Sequence, residues 1–309
     1  MTTILTSVGT RALRFAAVRR AALTAGAFRG HGLVLIFHRI TPAAAPPGLV
    51  PSIPQPLFRR MLEALLEAGD VVPLEALLRP ATDSRRPRFA LTFDDDWMSH
   101  HEGALPILRS LGLTATFFLS GRALHGLGPL WFERLDSLIA SAGIRAAARR
   151  VGVPAADADQ LALACESDVE LQQRVDRMSD AGVPRLGRAE IRALSDAGMT
   201  IGFHTLEHRV LPLLGSAVLE DALARGRAEL EEAARAPTRV FAYPHGRGDP
   251  RAAERLRRAG FVAAFTGRPR PVRPGDDPYL LGRWEPGPVD LDCFVTRLGV
   301  RLNGWTRHA

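Results

Sequence analysis

Three adjacent carboxylates, Asp94, Asp95 and Asp96, close the apolar run Phe89-Ala90-Leu91-Thr92-Phe93, whose residues favour a strand. Like charges crowded at the end of a buried strand repel and lose solvation, so a cation is expected beside them. Oxygen ligands alone suit magnesium or calcium, whereas a carboxylate combined with imidazoles suits zinc or a similar transition metal. Two imidazoles are available downstream, His204 and His208 in Gly202-Phe203-His204-Thr205-Leu206-Glu207-His208, again just after an apolar run. By itself that spacing is a weak signal, because paired histidines often only cap or fill structure. Joined to Asp95 they supply three ligands, a common protein complement of a catalytic zinc, and leave room for a water whose pKa the ion would lower. Asp94 is placed to accept that proton, since neighbouring strand-end residues point differently.

These groups need a scaffold that brings distant strand ends together. Leu33-Val34-Leu35-Ile36-Phe37 reads as a strand buried on both faces that delivers His38 and Arg39 at its carboxyl end. The Pro-rich stretch from Pro42 to Pro56 reads as a loop, and Gln55-Pro56 opens a helix in which Phe58, Met61, Leu62, Leu65 and Leu66 recur at helical spacing. Ala68-Gly69, Leu111-Gly112, Ala197-Gly198 and Ala259-Gly260 each read as a helix end with a left-handed glycine cap before a strand. Four such junctions imply repeated αβ units and a parallel sheet with helices outside it. Further strands are expected over 114–119, 199–203, 239–243, 261–266 and 279–281, and Asp249-Pro250 caps a helix ending at Gly260. His38, Asp94, Asp95, His204 and the Tyr243-Pro244-His245-Gly246 turn all fall at carboxyl strand ends, where parallel α/β folds assemble their sites. Residues from about 126 to 188 break this rhythm with an Ala- and Arg-rich helical pattern. They read as an inserted lobe, either a cover for a cleft or packing mass.

At 309 residues, 46% hydrophobic and 24% charged, the chain has ample capacity to bury a core. Every basic side chain other than histidine is arginine, which excludes a Walker-type phosphate loop because that loop requires lysine. The formal charge of +7 comes with no basic patch interleaved with aromatics, so no nucleic-acid partner is expected. Cys165 and Cys293 lack CxxC spacing and support neither a disulfide framework nor a cysteine zinc site. In residues 1–30, Arg11, Arg14, Arg19, Arg20 and Arg29 interrupt any apolar stretch before it could span a bilayer or form a convincing signal core. This basic helical segment could lie on an anionic membrane surface through residues 11–30, or pack on the domain with its arginines in water. A cytoplasmic location, peripheral to the membrane if that contact forms, is the expectation.

Thr92-Phe93-Asp94-Asp95, His204-Thr205-Leu206-Glu207-His208 and Phe241-Ala242-Tyr243-Pro244-His245-Gly246 resemble, in order and separation, the first three motifs of the NodB-like polysaccharide deacetylases, carbohydrate esterase family four. Ala104-Leu105-Pro106-Ile107-Leu108 and Ala115-Thr116-Phe117-Phe118 extend the similarity over roughly residues 33–285 apart from the insertion. The resemblance implies a distorted (β/α)7 barrel at 31–290 with a helical insertion, a C-terminal tail over 291–309, and hydrolysis of N-acetyl groups from amino sugars of a glycan. It implies Asp95, His204 and His208 as ligands of a divalent metal, most simply Zn²⁺ with Co²⁺ or Ni²⁺ as alternatives. It further implies Asp94 as general base and the backbone N–H of Tyr243 as an oxyanion donor, worth about 3 kcal/mol in comparable sites. Three positions depart from the pattern. The usual glycine after the paired aspartates is Asp96, which tolerates positive φ better than most residues or else crowds or joins the metal shell. The arginine that often opens the third motif is replaced by Phe241-Ala242, and Arg283 in Gly282-Arg283-Trp284-Glu285-Pro286 is the substitute. The late histidine acid is not evident, and His38 after Leu35-Ile36-Phe37 resembles the poly-N-acetylglucosamine deacetylase branch, where an early strand supplies it. His245 is the rival for that role.

Two other classes compete. Asp94-Asp95-Asp96 contains the Asp-x-Asp of magnesium phosphatases that form an aspartyl phosphate, although those usually need a later lysine. A catalytically weakened glycan-binding relative is the non-enzymatic alternative, motivated by Asp96 and the missing arginine.

Overall fold

The computed structural model describes residues 32–44, 48–79, 86–154, 157–178 and 184–304. The N-terminal segment 1–30 lies outside the described residues. In chain order, β1 (Gly32–Phe37), β2 (Arg39–Thr41) and β3 (Ser52–Pro54) precede α1 (Gln55–Ala68), and β4 (Asp70–Val71), α2 (Leu74–Leu77) and β5 (Arg88–Asp94) follow. A π-helical turn at His100–Ala104 runs into α3 (Leu105–Ser110) and then β6 (Thr116–Leu119). The insertion carries α4 (Trp131–Ala142), α5 (Ile144–Val151), α6 (Ala158–Ser167) and α7 (Val169–Asp176). After α8 (Arg188–Asp196) come β7 (Thr200–Phe203), α9 (Ser216–Ala224), α10 (Arg227–Ala234), β8 (Val240–Ala242), α11 (Pro250–Arg258), β9 (Ala263–Phe265) and α12 (Leu291–Gly304).

The apolar runs become central parallel strands because helices cover them. The sheet runs β1-β5-β6-β7-β8-β9, with β4 paired to the start of β5. Beyond β9 the chain closes the ring without a regular strand: Leu281 bridges Phe265, and Trp284 bridges Leu35 in β1. In place of the expected strand at 279–281 stand two isolated bridges, at Leu281 and at Trp284, and they complete a distorted (β/α) barrel. Phe37, Phe58, Phe93 and Phe117 pack edge-on and stacked between the sheet and α1, with Phe93 and Phe117 centroids 4.6 Å apart. Gly112, Gly198 and Gly260 have the left-handed φ expected of caps. Gly69 differs: its φ is −169°, and a Cβ there would meet the Pro87 carbonyl oxygen at 2.2 Å, so close approach rather than dihedral freedom demands glycine.

Part of the Pro-rich stretch also departs from a plain loop, because β3 pairs in parallel with β2. The segment from 291, expected as a tail, forms α12, whose Phe294, Leu298 and Leu302 are buried in the main core beside α1. The insertion has a core of its own, built from Leu135, Ile139, Ala147, Val151, Leu161, Cys165 and Val175. Among the described residues no helix is long and apolar enough to cross a membrane.

Candidate active site

β5 ends in Asp94 and β7 ends one residue before His204, two strands away across β6. Asp95, His204 and His208 converge there, each buried, with one ligand atom apiece lying within 4.8 Å of the others. Asp95 Oδ1 is 3.4 Å from His208 Nε2 and 3.8 Å from His204 Nε2. The Nδ1–H of His204 donates to the Ala242 carbonyl at 2.8 Å, which fixes the tautomer and turns the Nε2 lone pair inward. That Nε2 faces His208 Nε2 at 3.1 Å. Two imidazoles on one tetrahedral zinc, with Zn–N of about 2.05 Å, would sit about 3.3 Å apart, so the donor set fits such an ion. Burial lowers the pKa of both histidines, most strongly His208, and keeps them neutral, the form that binds metal.

The backbone is bent to achieve this. Asp95, Thr205, His208 and His245 have φ of 72°, 63°, 52° and 54°, a left-handed conformation that costs non-glycine residues roughly 1–3 kcal/mol each. Thr205, β-branched, is the most strained, and its Oγ1 accepts from the His208 N–H at 3.2 Å. The left-handed residue of the first motif is therefore Asp95, not Asp96. Asp96 turns away from the ligand cluster: Oδ1 accepts from the Ser120 N–H at 2.8 Å, and Oδ2 accepts from the Ser120 hydroxyl and from the Arg122 N–H at 3.1 Å. So engaged, it neither crowds nor joins the cluster, and it has no free carboxylate for a phosphatase role.

Arg283 reaches Asp94 from the segment that closes the barrel. Its two terminal nitrogens donate to the two carboxylate oxygens at 2.7 Å each, while Nη1 also meets Thr92 Oγ1 at 3.2 Å and Nε donates to the Thr266 carbonyl at 3.3 Å. Burial alone would raise the Asp94 pKa, but the guanidinium overrides it and holds the carboxyl at about 2. One residue on, burial pushes Asp95 up to about 7, with Asp94 and Asp96 adding to the rise against the pull of His38.

His38 lines the same cavity, its Nδ1 2.8 Å from Glu285 Oε1. Burial opposes its charge, yet Glu285, with Asp95 and Asp94 behind, lifts its pKa to about 9. His245 is otherwise occupied: Nε2 lies 3.2 Å from the His208 carbonyl and its ring packs on His208 at 4.6 Å. Tyr243 does not offer the donor expected of it, because its N–H donates to the Phe265 carbonyl at 3.0 Å in the β8–β9 ladder. Its buried hydroxyl donates to the Tyr279 carbonyl at 2.9 Å, making it a brace for the closing segment.

Glu285 and the insertion residues escaped the sequence reading. Glu285 follows Arg283 by two residues in Gly282-Arg283-Trp284-Glu285-Pro286, and that spacing is the available signal. A cavity of about 610 Å³ opens over the cluster, lined by His38, Asp94, Asp95, His204, His208, His245, Arg283 and Glu285 and also by Trp131, Phe132, Ala162 and Glu166 of the insertion. The insertion therefore covers the cleft.

Residues 81–264 match the family model described as polysaccharide deacetylase. The chain belongs to the polysaccharide deacetylase family. Its fold is that of the NodB-like deacetylases: the deacetylase PplD of Streptococcus pyogenes, solved with acetate, superimposes with a TM-score of 0.61 at 15% identity, over 87% of this chain and 97% of that one. IcaB from Ammonifex degensii gives 0.59 at 22% identity over 88% and 97%, and the de-N-acetylase of Aggregatibacter actinomycetemcomitans gives 0.55 at 16% identity over 82% and 94%. Among curated proteins none matches the sequence.

Proposed function

We propose that this deacetylase hydrolyses N-acetyl groups from amino sugars of a glycan and depends on a divalent metal, Zn²⁺ before Co²⁺ or Ni²⁺. The observation that carries the reading is the buried Asp95-His204-His208 cluster with the Arg283-held Asp94 beside it. Asp95, His204 and His208 would hold the cation, which when bound supplies Lewis acidity and acidified water. Asp94 stays ionised throughout the physiological range and accepts the proton of the attacking water, its direction set by the Arg283 fork. His38, kept protonated by Glu285, donates to the departing amine nitrogen, a task His245 cannot share while it is held against His208.

Acetate release from N-acetylated glycans, assayed with chelated protein and after reloading with each metal, tests this. Release that disappears on chelation and returns with Zn²⁺ is expected. A glycan-binding relative would bind the saccharides and release no acetate at any loading.

A further inference from the structure

The cavity over the ligand cluster has walls from four separate parts of the chain. The β2–β3 loop gives Leu49, Val50 and Pro51, the insertion gives Trp131, Phe132 and Glu166, the turn after β8 gives His245 and Arg247, and the closing segment gives Glu285. The walls are tied together at two places. The N–H groups of Leu49 and Val50 donate to Asp136 Oδ1 in α4 at 2.7 and 3.1 Å, fastening the loop to the insertion. Glu166 Oε1 of α6 meets Arg247 Nη1 at 3.1 Å, fastening the insertion to the turn after β8. A polymer lying across the cluster needs two open ends, whereas two sides of this rim are bridged, from the loop before β3 to α4 and from α6 to the turn after β8. The volume is that of a small-ligand pocket, enough for about one or two sugar rings. Its wall also has a sugar-sized apolar surface: Phe132 packs on the ligand imidazole of His208 at 4.8 Å, and half-buried Trp131 stands nearly perpendicular to it at 5.8 Å.

We infer that this site takes the end of a glycan, a terminal N-acetylated amino sugar or a short oligosaccharide, and not the interior of a long chain. The inference rests on the deacetylase reading above. Trp131 supplies the face on which the terminal ring packs. The Glu166–Arg247 pair is the strap across which a longer chain would have to pass; Arg247 is 52% exposed and Glu166 18%, so removing both charges together, with Gln keeping the shape of the buried partner, leaves no uncompensated charge.

The test uses the full chain loaded with Zn²⁺ and a series of N-acetylglucosamine oligomers up to a high polymer, with acetate measured and the freed amine located by tandem mass spectrometry. Amines confined to a terminal sugar are expected, with release from the polymer falling in proportion to its number of ends. Trp131→Ala is expected to raise KM on the order of tenfold with kcat little changed, the scale of one lost aromatic contact. The Glu166→Gln, Arg247→Ala double variant is expected to admit internal sugars. Internal amines formed by the unaltered chain as readily as terminal ones would overturn the inference while leaving the deacetylase reading intact. No acetate from any substrate, with Zn²⁺ bound, would overturn both.

Discussion

Asp94 and Asp95 are neighbours in sequence with opposite chemistry, one held at about 2 and the other pushed to about 7. The positive φ of Asp95 separates them, aiming one carboxylate at Arg283 and the other at two imidazoles. Asp94→Asn is therefore expected to keep its zinc, read by metal analysis, and to lose about 10²- to 10⁴-fold in turnover, the range for a lost general base. Wild-type turnover would remove that role. His38 carries a prediction in pH. Its raised pKa depends on Glu285, so Glu285→Gln withdraws support from the charged imidazole and its pKa must fall. If the protonated form is the acid, the alkaline limb of kcat/KM then moves to lower pH, whereas an unmoved limb would detach His38 from the reaction. At this scale the sequence is informative wherever a residue type has few uses: the convergence of Asp95, His204 and His208 and the Asp94–Arg283 pairing are both legible in it. Tyr243 is not, because a strand-end N–H looks the same in sequence whether it meets a neighbouring strand or a ligand.

Among the elements, the junction after β5 binds the site's parts together. Asp96 holds the N–H groups of Ser120 and Arg122, and Arg122 in turn donates to the Leu206 carbonyl at 2.9 Å, between His204 and His208, and to the Gly128 carbonyl at 3.0 Å where the insertion begins. The departure from the family glycine thus has a physical role: a buried carboxylate caps the donors of the 120–122 turn. Asp96→Gly is expected to lower the urea midpoint by the equivalent of about 1–3 kcal/mol and to weaken zinc affinity, measured by competitive chelation. Unchanged values for both would show that the 120–122 turn holds the histidine loop without it. The helix–glycine–strand rhythm made the αβ repeat readable, and Gly69 shows its limit, since a glycine kept for close approach has the same letter as one kept for its dihedral angles. The closing segment was hardest to read, because its ladder is reduced to two bridges with no alternating pattern behind them.

At the scale of the whole molecule, the insertion is a second small core fixed to the barrel by a few buried polar ties. Arg39 pairs with Asp136 at one end, and Arg185 pairs with fully buried Glu133 at the other, at 2.8 and 2.6 Å to its two oxygens. The segment at Arg185 touches the turn after β5 directly: Trp97 and Arg185 form a β-bridge, and the Leu186 N–H donates to the Asp96 carbonyl at 2.9 Å. Burial already pushes the Glu133 carboxyl up to about 7 against the pull of Arg185. Removing the arginine leaves a buried acid without its counter-ion, a loss of about 3–5 kcal/mol, whereas removing both partners leaves no uncompensated charge. Arg185→Ala is therefore expected to be far more destabilising than the Arg185→Met, Glu133→Gln double variant in a denaturant double-mutant cycle. Its damage should begin in the insertion, read as early proteolytic cleavage within α4–α7 while Asp95, His204 and His208 still bind zinc. Equal destabilisation by the single and double variants would mean that side-chain packing, and not the ion pair, fixes the insertion over the cavity.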